Sequence, residues 1–367
     1  MNRIFKQIFL WPFSVLYRLS VGIRNQLFDF KILHSTSFKI PIISVGNITV
    51  GGTGKTPFVE FLLSFLKNDF NVATLSRGYK RKSKGFLLVT KNHTVHESGD
   101  EPLQLKNKYP EAQVAVDRNR VHGIQELKKN NPNLNAIILD DAFQHRYVQP
   151  GLSVLLVDFN RPLSSDYFLP MGNLRENPHE MKRAHIIIVT KCPDQLKPID
   201  QRLIRKELNI FPYQKLFFTG IKYRPIQPVF TVESSLLSDE ICKNDNYHIL
   251  LVTGIANTRP LRKHIRSISS RIKEIKFMDH HYYSKKDLLR INQIFKSMES
   301  PKLILTTEKD AVRLRELGTI IQPDPVVWYY VPVEIKFFNQ EKELFRKIIV
   351  DYVTKNKRYS ILSSRKN

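Results

Sequence analysis

Residues 46–57 read GNITVGGTGKTP and follow directly on the apolar run Ile42, Ile43, Ser44, Val45. Glycine reaches backbone conformations closed to other residues and lets main-chain N–H groups crowd round a ligand. A lysine beside such amides points to an anion, and phosphate is the first candidate. In the usual motif G-x-x-x-x-G-K-[ST] the first glycine would fall where this chain has Thr49, but Gly51, Gly52, Gly54, Lys55 and Thr56 are in place. The segment also sits after a strand pattern and before a helix pattern, PFVEFLLSFLKN at 57–68. Thr49, Val50, Gly51, Gly52, Thr53, Gly54, Lys55 and Thr56 are therefore expected to cradle a nucleotide triphosphate. Lys55 would reach the β and γ oxygens and Thr56 would offer its hydroxyl to Mg²⁺.

Outward from that loop, β-branched apolar runs recur at 72–76, 85–90, 112–117, 135–141, 153–158 and 185–190, most of them separated by helical spacing. Strands apolar on both faces and alternating with helices build a mostly parallel sheet covered on both sides. Ligands of such sheets bind at the carboxyl ends of the strands, which is where the polar motifs fall. The reading is an α/β chain with a P-loop NTPase core over 36–222, a connector at 223–247 and a smaller α/β unit at 248–336. A C-terminal helix and basic tail are expected over 337–367, with the helix at 338–355 and the tail solvated and mobile.

Residues 1–35 form a unit of their own. The uncharged stretch QIFLWPFSVLY is eleven residues long, well short of the roughly 20 that a helix needs to span a bilayer. Ile8, Trp11, Val15, Leu19, Ile23 and Leu27 recur every three or four residues among Arg3, Lys6, Arg18, Arg24 and Lys31. That pattern fits an amphipathic helix lying in an anionic membrane interface, or a surface helix whose stripe packs on the domain. The whole chain carries 58 Lys+Arg against 34 Asp+Glu, a formal balance of +24, which implies an acidic partner without naming it. Its two cysteines, Cys192 and Cys242, lack metal-ligand spacing and suit a reducing compartment. No nucleic-acid-reading motif accompanies the charge, so no nucleic-acid partner is expected.

A P-loop needs a carboxylate at a neighbouring strand end to fix the metal, and AIILDD supplies Asp140 and Asp141. Two adjacent acids there would repel each other unless a cation sits between them. Asp100 in ESGDEP suits a helix cap as well as chemistry, and Arg175 with Glu176 in GNLREN suits a surface ion pair as well as a site. His280 and His281, beside Asp279, could move a proton or contact phosphate. Guanine specificity is unsupported: TKCPD at 190–194 sets its acid one position late, and TEKD at 307–310 has Lys309 directly before Asp310.

The set PFSVLY, SVGNITVGGTGKTP, SRGYKRK, SGDEP, DRNR, ILDDAFQHR, MGNLREN, VTGIANT, FMDHHYYS and TTEKDAVR, in that order from residue 12 to about 314, resembles the tetraacyldisaccharide 4'-kinases of lipid A synthesis. Ala142 stands where glycine is expected, and Asn177 where the family often continues differently; neither removes a charge. The resemblance implies transfer of the γ-phosphate of ATP to the 4'-hydroxyl of a lipid A disaccharide 1-phosphate, at the cytoplasmic face of the bacterial inner membrane, by a peripheral or monotopic protein. It implies ATP and Mg²⁺ as cofactors, with Lys55 and Thr56 on the phosphates and Thr56, Asp140, Asp141 and Glu176 around the metal. Asp100 would be the base, helped by His280 or its neighbour, with Lys55 completing the catalytic set. Arg77, Arg118, Arg120 and Arg175 would meet substrate phosphate or transition-state charge. A lipid substrate accounts for both the basic amphipathic N-terminus and the positive balance, and places the chain on an anionic membrane surface with no obligate protein partner. The alternative is a membrane-associated P-loop ATPase switch without lipid kinase activity.

Overall fold

The structure, a computed structural model, describes residues 3–230, 237–318 and 327–364, with side chains from 9 to 356 within those spans. Residues 231–236 of the connector and the last three of the basic tail lie outside them. The first part of the chain runs α1 (Arg3–Asp29), β1 (Ile42–Gly46), α2 (Lys55–Leu66), β2 (Val72–Ser76), β3 (Leu87–Leu88), α3 (Val95–Ser98), α4 (Asp100–Lys108), β4 (Gln113–Val116), α5 (Arg120–Asn130), β5 (Ala136–Asp140), β6 (Leu152–Asp158), β7 (Ile186–Thr190), α6 (Pro198–Glu207) and β8 (Lys215–Tyr223). The second runs β9 (Gln227–Pro228), α7 (Asp239–Asn244), β10 (His248–Thr253), α8 (Arg259–Ile265), β11 (Ile272–Lys276), α9 (Lys285–Lys296), β12 (Lys302–Thr307), α10 (Glu308–Leu317), β13 (Trp328–Val331), β14 (Val333–Phe337) and α11 (Glu341–Ser364).

Every residue of β1, β5, β6 and β7 is buried, as strands covered on both faces require. They form the middle of a nine-stranded sheet in the order β14-β8-β7-β6-β1-β5-β2-β4-β3, parallel from β8 to β4 and closed at each edge by an antiparallel strand. The second sheet, β11-β10-β12-β13-β9, is parallel except for β9. This is the α/β architecture with a P-loop core and a smaller second unit that the strand-and-helix alternation predicts.

The two units share chain at their boundary. β9 lies in the connector yet pairs with β13, whereas β14 returns to the first sheet against β8. α11, longer than the helix expected at 338–355, follows β14 and drives Phe345, Ile349 and Val353 into the core beneath α2. There Phe345 meets Phe58 and Phe217 edge-on, with ring centroids 5.6 and 5.5 Å apart. Burying each such ring contributes about 1.5–3 kcal/mol, so the C-terminal helix is an integral part of the nucleotide-side core.

α1 packs with its polar side inward. Ser14 and Asn25 are buried, Ser14 Oγ donates to Phe168 O (2.8 Å) and Tyr17 Oη donates to Arg175 O (3.2 Å). Phe9, Trp11, Phe13, Leu16, Leu19 and Ile23 are 53–64% exposed. Of the predicted stripe, Trp11, Leu19 and Ile23 therefore face outward, and Val15 and Leu27 are half-buried. Among the described residues no helix is long and apolar enough to cross a membrane.

Candidate active site

β1 ends at Gly46, where an added Cβ would lie 2.6 Å from Phe143 Cβ; only glycine lets the loop leave the strand so close to the β5 turn. The loop then rises to Gly54, the N-cap of α2 at φ +89°, a left-handed conformation that glycine takes without strain. Gly54 provides no side-chain cap and the first turn of α2 holds no acid, so its opening amides are left for an outside anion. Neighbouring strand ends pin the loop. Val50 N donates to Asn173 O (2.8 Å), Arg161 Nη1 to Val50 O (3.1 Å) and Thr190 Oγ1 to Thr53 O (2.8 Å). Asn47 Nδ2 donates to Thr53 Oγ1 (2.9 Å), and Lys191 Nζ is shared between Gly52 O and Asp158. A loop held on both flanks keeps its amides aimed before any ligand arrives.

Asp140 and Asp141 stand at the end of β5, beside β1, as expected, but their surroundings differ. Asp141 meets Lys55 Nζ at 3.5 Å and Arg175 Nη1 at 3.0 Å. Burial pushes its carboxyl up, and these two cations outweigh burial and hold it below the usual range. Asp140 is buried, and among the described residues its Oδ1 has no hydrogen-bond partner. Burial, with the charges of Glu101 and Asp141 added, overrides Lys55 and Arg120 and raises Asp140 to about 7. A buried carboxylate oxygen left without a partner among the described residues, at the end of the strand that pairs with β1, fits a divalent cation. Lys55 and Thr56 at the start of α2 fit the phosphates that would share it.

Glu176 is buried elsewhere in this neighbourhood. It accepts from Arg183 Nη2 (2.5 Å), Asn25 Nδ2 (3.4 Å) and Gln144 Nε2 (3.4 Å), which ties α1 to the strand ends. Among the described residues no three His, Cys, Asp or Glu side chains are gathered to hold one ion, so Asp140, Asp141 and Glu176 do not close a three-carboxylate shell in this arrangement.

The second unit reaches the first at Asp100. Asp100 opens α4 and is buried; its Oδ2 accepts from His280 Nδ1 (2.8 Å) and from Arg313 Nη2. Burial pushes Asp100 up, but the His280 hydrogen bond and the charges of Lys309 and Arg313 outweigh it and hold the carboxyl well below the usual range. Of the two neighbouring histidines, His280 makes this contact, whereas His281 stacks on Phe277 and meets Asp287 at 3.1 Å. Arg313 is anchored in turn by Asp310 (3.0 Å), which also accepts from Gly254 N (2.9 Å).

Among the predicted arginines, Arg120 is buried, donates to Asp117 O (2.7 Å) and Asp140 O (3.3 Å), and is lowered to about 10 by burial despite the Asp140 and Asp141 charges. Arg77 and Arg118 are exposed at the ends of β2 and β4. Burial and the charges of Arg120, Arg24 and Arg77 lower His145 to about 4, which marks a basic rim joining α1 to the loop acids. Glu101, Lys309 and Arg313 join the site without having been singled out in the sequence. The TEKDAVR motif held two of them, and the three-residue spacing of Asp310 and Arg313 on one helix face was the available signal.

Comparison with known proteins agrees with this geometry. Residues 6–353 match the family described as tetraacyldisaccharide-1-P 4'-kinase. The chain is 46% identical over 357 residues to the tetraacyldisaccharide 4'-kinase of Phocaeicola vulgatus, covering 96% of this chain and 97% of that one. It is 41% identical over 347 residues to that of Flavobacterium johnsoniae, covering 95% and 97%. Among solved structures it is similar to LpxK from Aquifex aeolicus in complex with ATP, with a TM-score of 0.73, 29% identity, and coverage of 95% of this chain and 99% of that one. With the pinned loop and the buried acid of β5 beside β1, the match along nearly the whole length leads to one conclusion: the chain belongs to the tetraacyldisaccharide-1-P 4'-kinase family.

Proposed function

We propose that this protein transfers the γ-phosphate of ATP to the 4'-hydroxyl of tetraacyldisaccharide 1-phosphate while resting on an anionic membrane surface, the cytoplasmic face of the inner membrane. The observation that carries the reading is that the hydrogen-bonded pair Asp100–His280 stands beside the loop acids, with Glu101 close enough to Asp140 to raise it. Loop amides from Gly51 to Thr56 and the Lys55 ammonium would hold the phosphates, and Thr56 and Asp140 would hold Mg²⁺. When bound, the metal neutralises negative charge on the phosphate oxygens. Arg175, Arg120 and the exposed Arg77 and Arg118 face the remaining phosphate charge.

Phosphoryl transfer passes through a loose transition state that asks for alignment and charge stabilisation more than for a strong base. A carboxylate held ionised, as Asp100 is, suits that need: it orients the attacking hydroxyl and receives its proton late. His280 fixes the direction of that carboxylate. α1 supports the membrane part of the reading, since its outward side chains include the six apolar ones from Phe9 to Ile23, with Arg18 among them and Arg24 next to Ile23.

The test is transfer of label from γ-labelled ATP to the purified disaccharide in detergent micelles. Labelled lipid dependent on Mg²⁺ is expected. ATP hydrolysis indifferent to the lipid, with no labelled lipid, would overturn the proposal in favour of an ATPase switch.

A further inference from the structure

The two ring nitrogens of His280 face different chemistry. Nδ1 lies 2.8 Å from Asp100 Oδ2, and Nε2 lies 3.1 Å from Lys309 Nζ. A carboxylate only accepts and an ammonium only donates, so a neutral imidazole satisfies both with its proton on Nδ1 and its lone pair on Nε2. Lys309 is itself held in place, 2.9 Å from Glu101 Oε1 and 3.8 Å from Asp100 Oδ2. Burial works against its charge, and Glu101 and Asp100 outweigh burial and keep it protonated.

The other groups facing the ring do not take that part. Arg313 Nη2 lies 3.4 Å from Nδ1, on the Asp100 side. Asp279 is 4.0 Å from Nε2 and is an acceptor, and Tyr79 offers its ring with centroids 4.9 Å apart. The His280 backbone is fixed as well, at φ +57° with its N–H on Gly254 O (3.2 Å).

We propose that Lys309 is a positioning residue that selects the Nδ1–H tautomer of His280, so that the only ring N–H points at Asp100. The opposite tautomer would set the Nδ1 lone pair against the Asp100 carboxylate and lose the hydrogen bond that orients the base. This proposal rests on reading Asp100 and His280 as the acceptor-side pair. It adds that α10 of the second unit governs the pair through one ammonium.

The test uses the full chain with ¹⁵N-labelled histidine rings and long-range ¹H–¹⁵N correlation at about pH 8, where an ordinary imidazole is neutral. His280→Gln identifies the signal. Wild type is expected to show the Nδ1–H pattern, Lys309→Met to shift toward Nε2–H, and Lys309→Arg, which keeps a donor, to restore the wild-type pattern. In the transfer assay Lys309→Met is expected to lower kcat by about tenfold or more, with the KM for ATP within about twofold of wild type. An Nε2–H ring in the wild type overturns the proposal, and that spectrum suffices even if Lys309→Met does not fold. A folded Lys309→Met with an unchanged tautomer and kcat overturns it equally. The tautomer is read without lipid phosphorylation, so a wild type that transfers no phosphate would sink the kinase reading while leaving this one decided by its own spectrum.

Discussion

Glu60→Gln separates the cost of a buried charge from the hydrogen bonds that hold it. Glu60 lies on α2 and accepts from Gln104 Nε2 and Lys108 Nζ, each at 2.7 Å, and Lys108 donates on to Glu308 Oε1 at 2.9 Å. The cluster ties together the helix that begins at the phosphate loop, the helix that begins at Asp100 and the helix that carries Lys309. Burial, with the Glu308 charge added, outweighs Lys108 and Gln104 and raises Glu60 from 4.5 to about 7. Against burial, Glu60 and Glu308 raise Lys108, so it stays charged at neutral pH. A carboxyl whose folded value lies above its unfolded one costs stability as pH rises: nothing is lost well below the unfolded value, and the full penalty is present above the folded one. Roughly two to three units at about 1.4 kcal/mol each give about 3 kcal/mol at about pH 8, and under about 1 kcal/mol at about pH 5. Glutamine keeps an acceptor for Lys108 and cannot ionise. We therefore expect Glu60→Gln to raise the urea midpoint at the higher pH and to leave it little changed at the lower one. Lys108→Met leaves two carboxylates facing each other without their cation and should have the opposite sign, costing about 3–5 kcal/mol at about pH 8. A Glu60→Gln protein that loses stability relative to wild type as pH rises would refute the sign of this reasoning.

Other perturbations address the site and the membrane face. Asp100→Asn should lower kcat by about 10²–10⁴ while ATP affinity, followed by titration calorimetry, holds within about threefold. Asp140→Asn should leave the loop folded yet abolish the Mg²⁺ dependence of ATP binding in the same titration, because a neutral amide replaces the anionic carboxylate whose Oδ1 is unpartnered among the described residues. Replacing Phe13, Leu16 and Ile23 together by glutamate should weaken sedimentation with anionic vesicles by about tenfold or more with an unchanged circular dichroism spectrum; unchanged partitioning would return α1 to a purely packing role.

What the sequence disclosed was mostly local. The phosphate loop and the acids at the end of β5 are legible because their chemistry depends on neighbours a few residues away, and the apolar runs are legible because strands buried on both faces carry no polar alternation. The pairing of Asp100 with His280 joins residues 180 positions apart, and without the family resemblance Asp100 reads equally well as a helix cap. Lys309 and Arg313 are charged residues on a helix, a pattern that ordinarily means solvent; only the packing of α10 on α4 turns them inward. The periodicity of α1 gives a stripe but not its direction, since a buried polar side needs specific acceptors such as Phe168 O and Glu176, which the sequence alone does not place. Nor does local pattern reveal that β14 leaves the second unit to edge the first sheet, because either sheet could have paired it.

The account turns on the loop at 51–56 holding a triphosphate whose metal meets Asp140. Its most direct test is a crystal structure of the full chain grown with Mg²⁺ and a non-hydrolysable ATP analogue. The account predicts phosphate oxygens on the Gly51–Thr56 amides and on Lys55 Nζ, with the ion between Thr56 and Asp140. Nucleotide bound at any other place, with those amides free and Asp140 still without a partner, would contradict it.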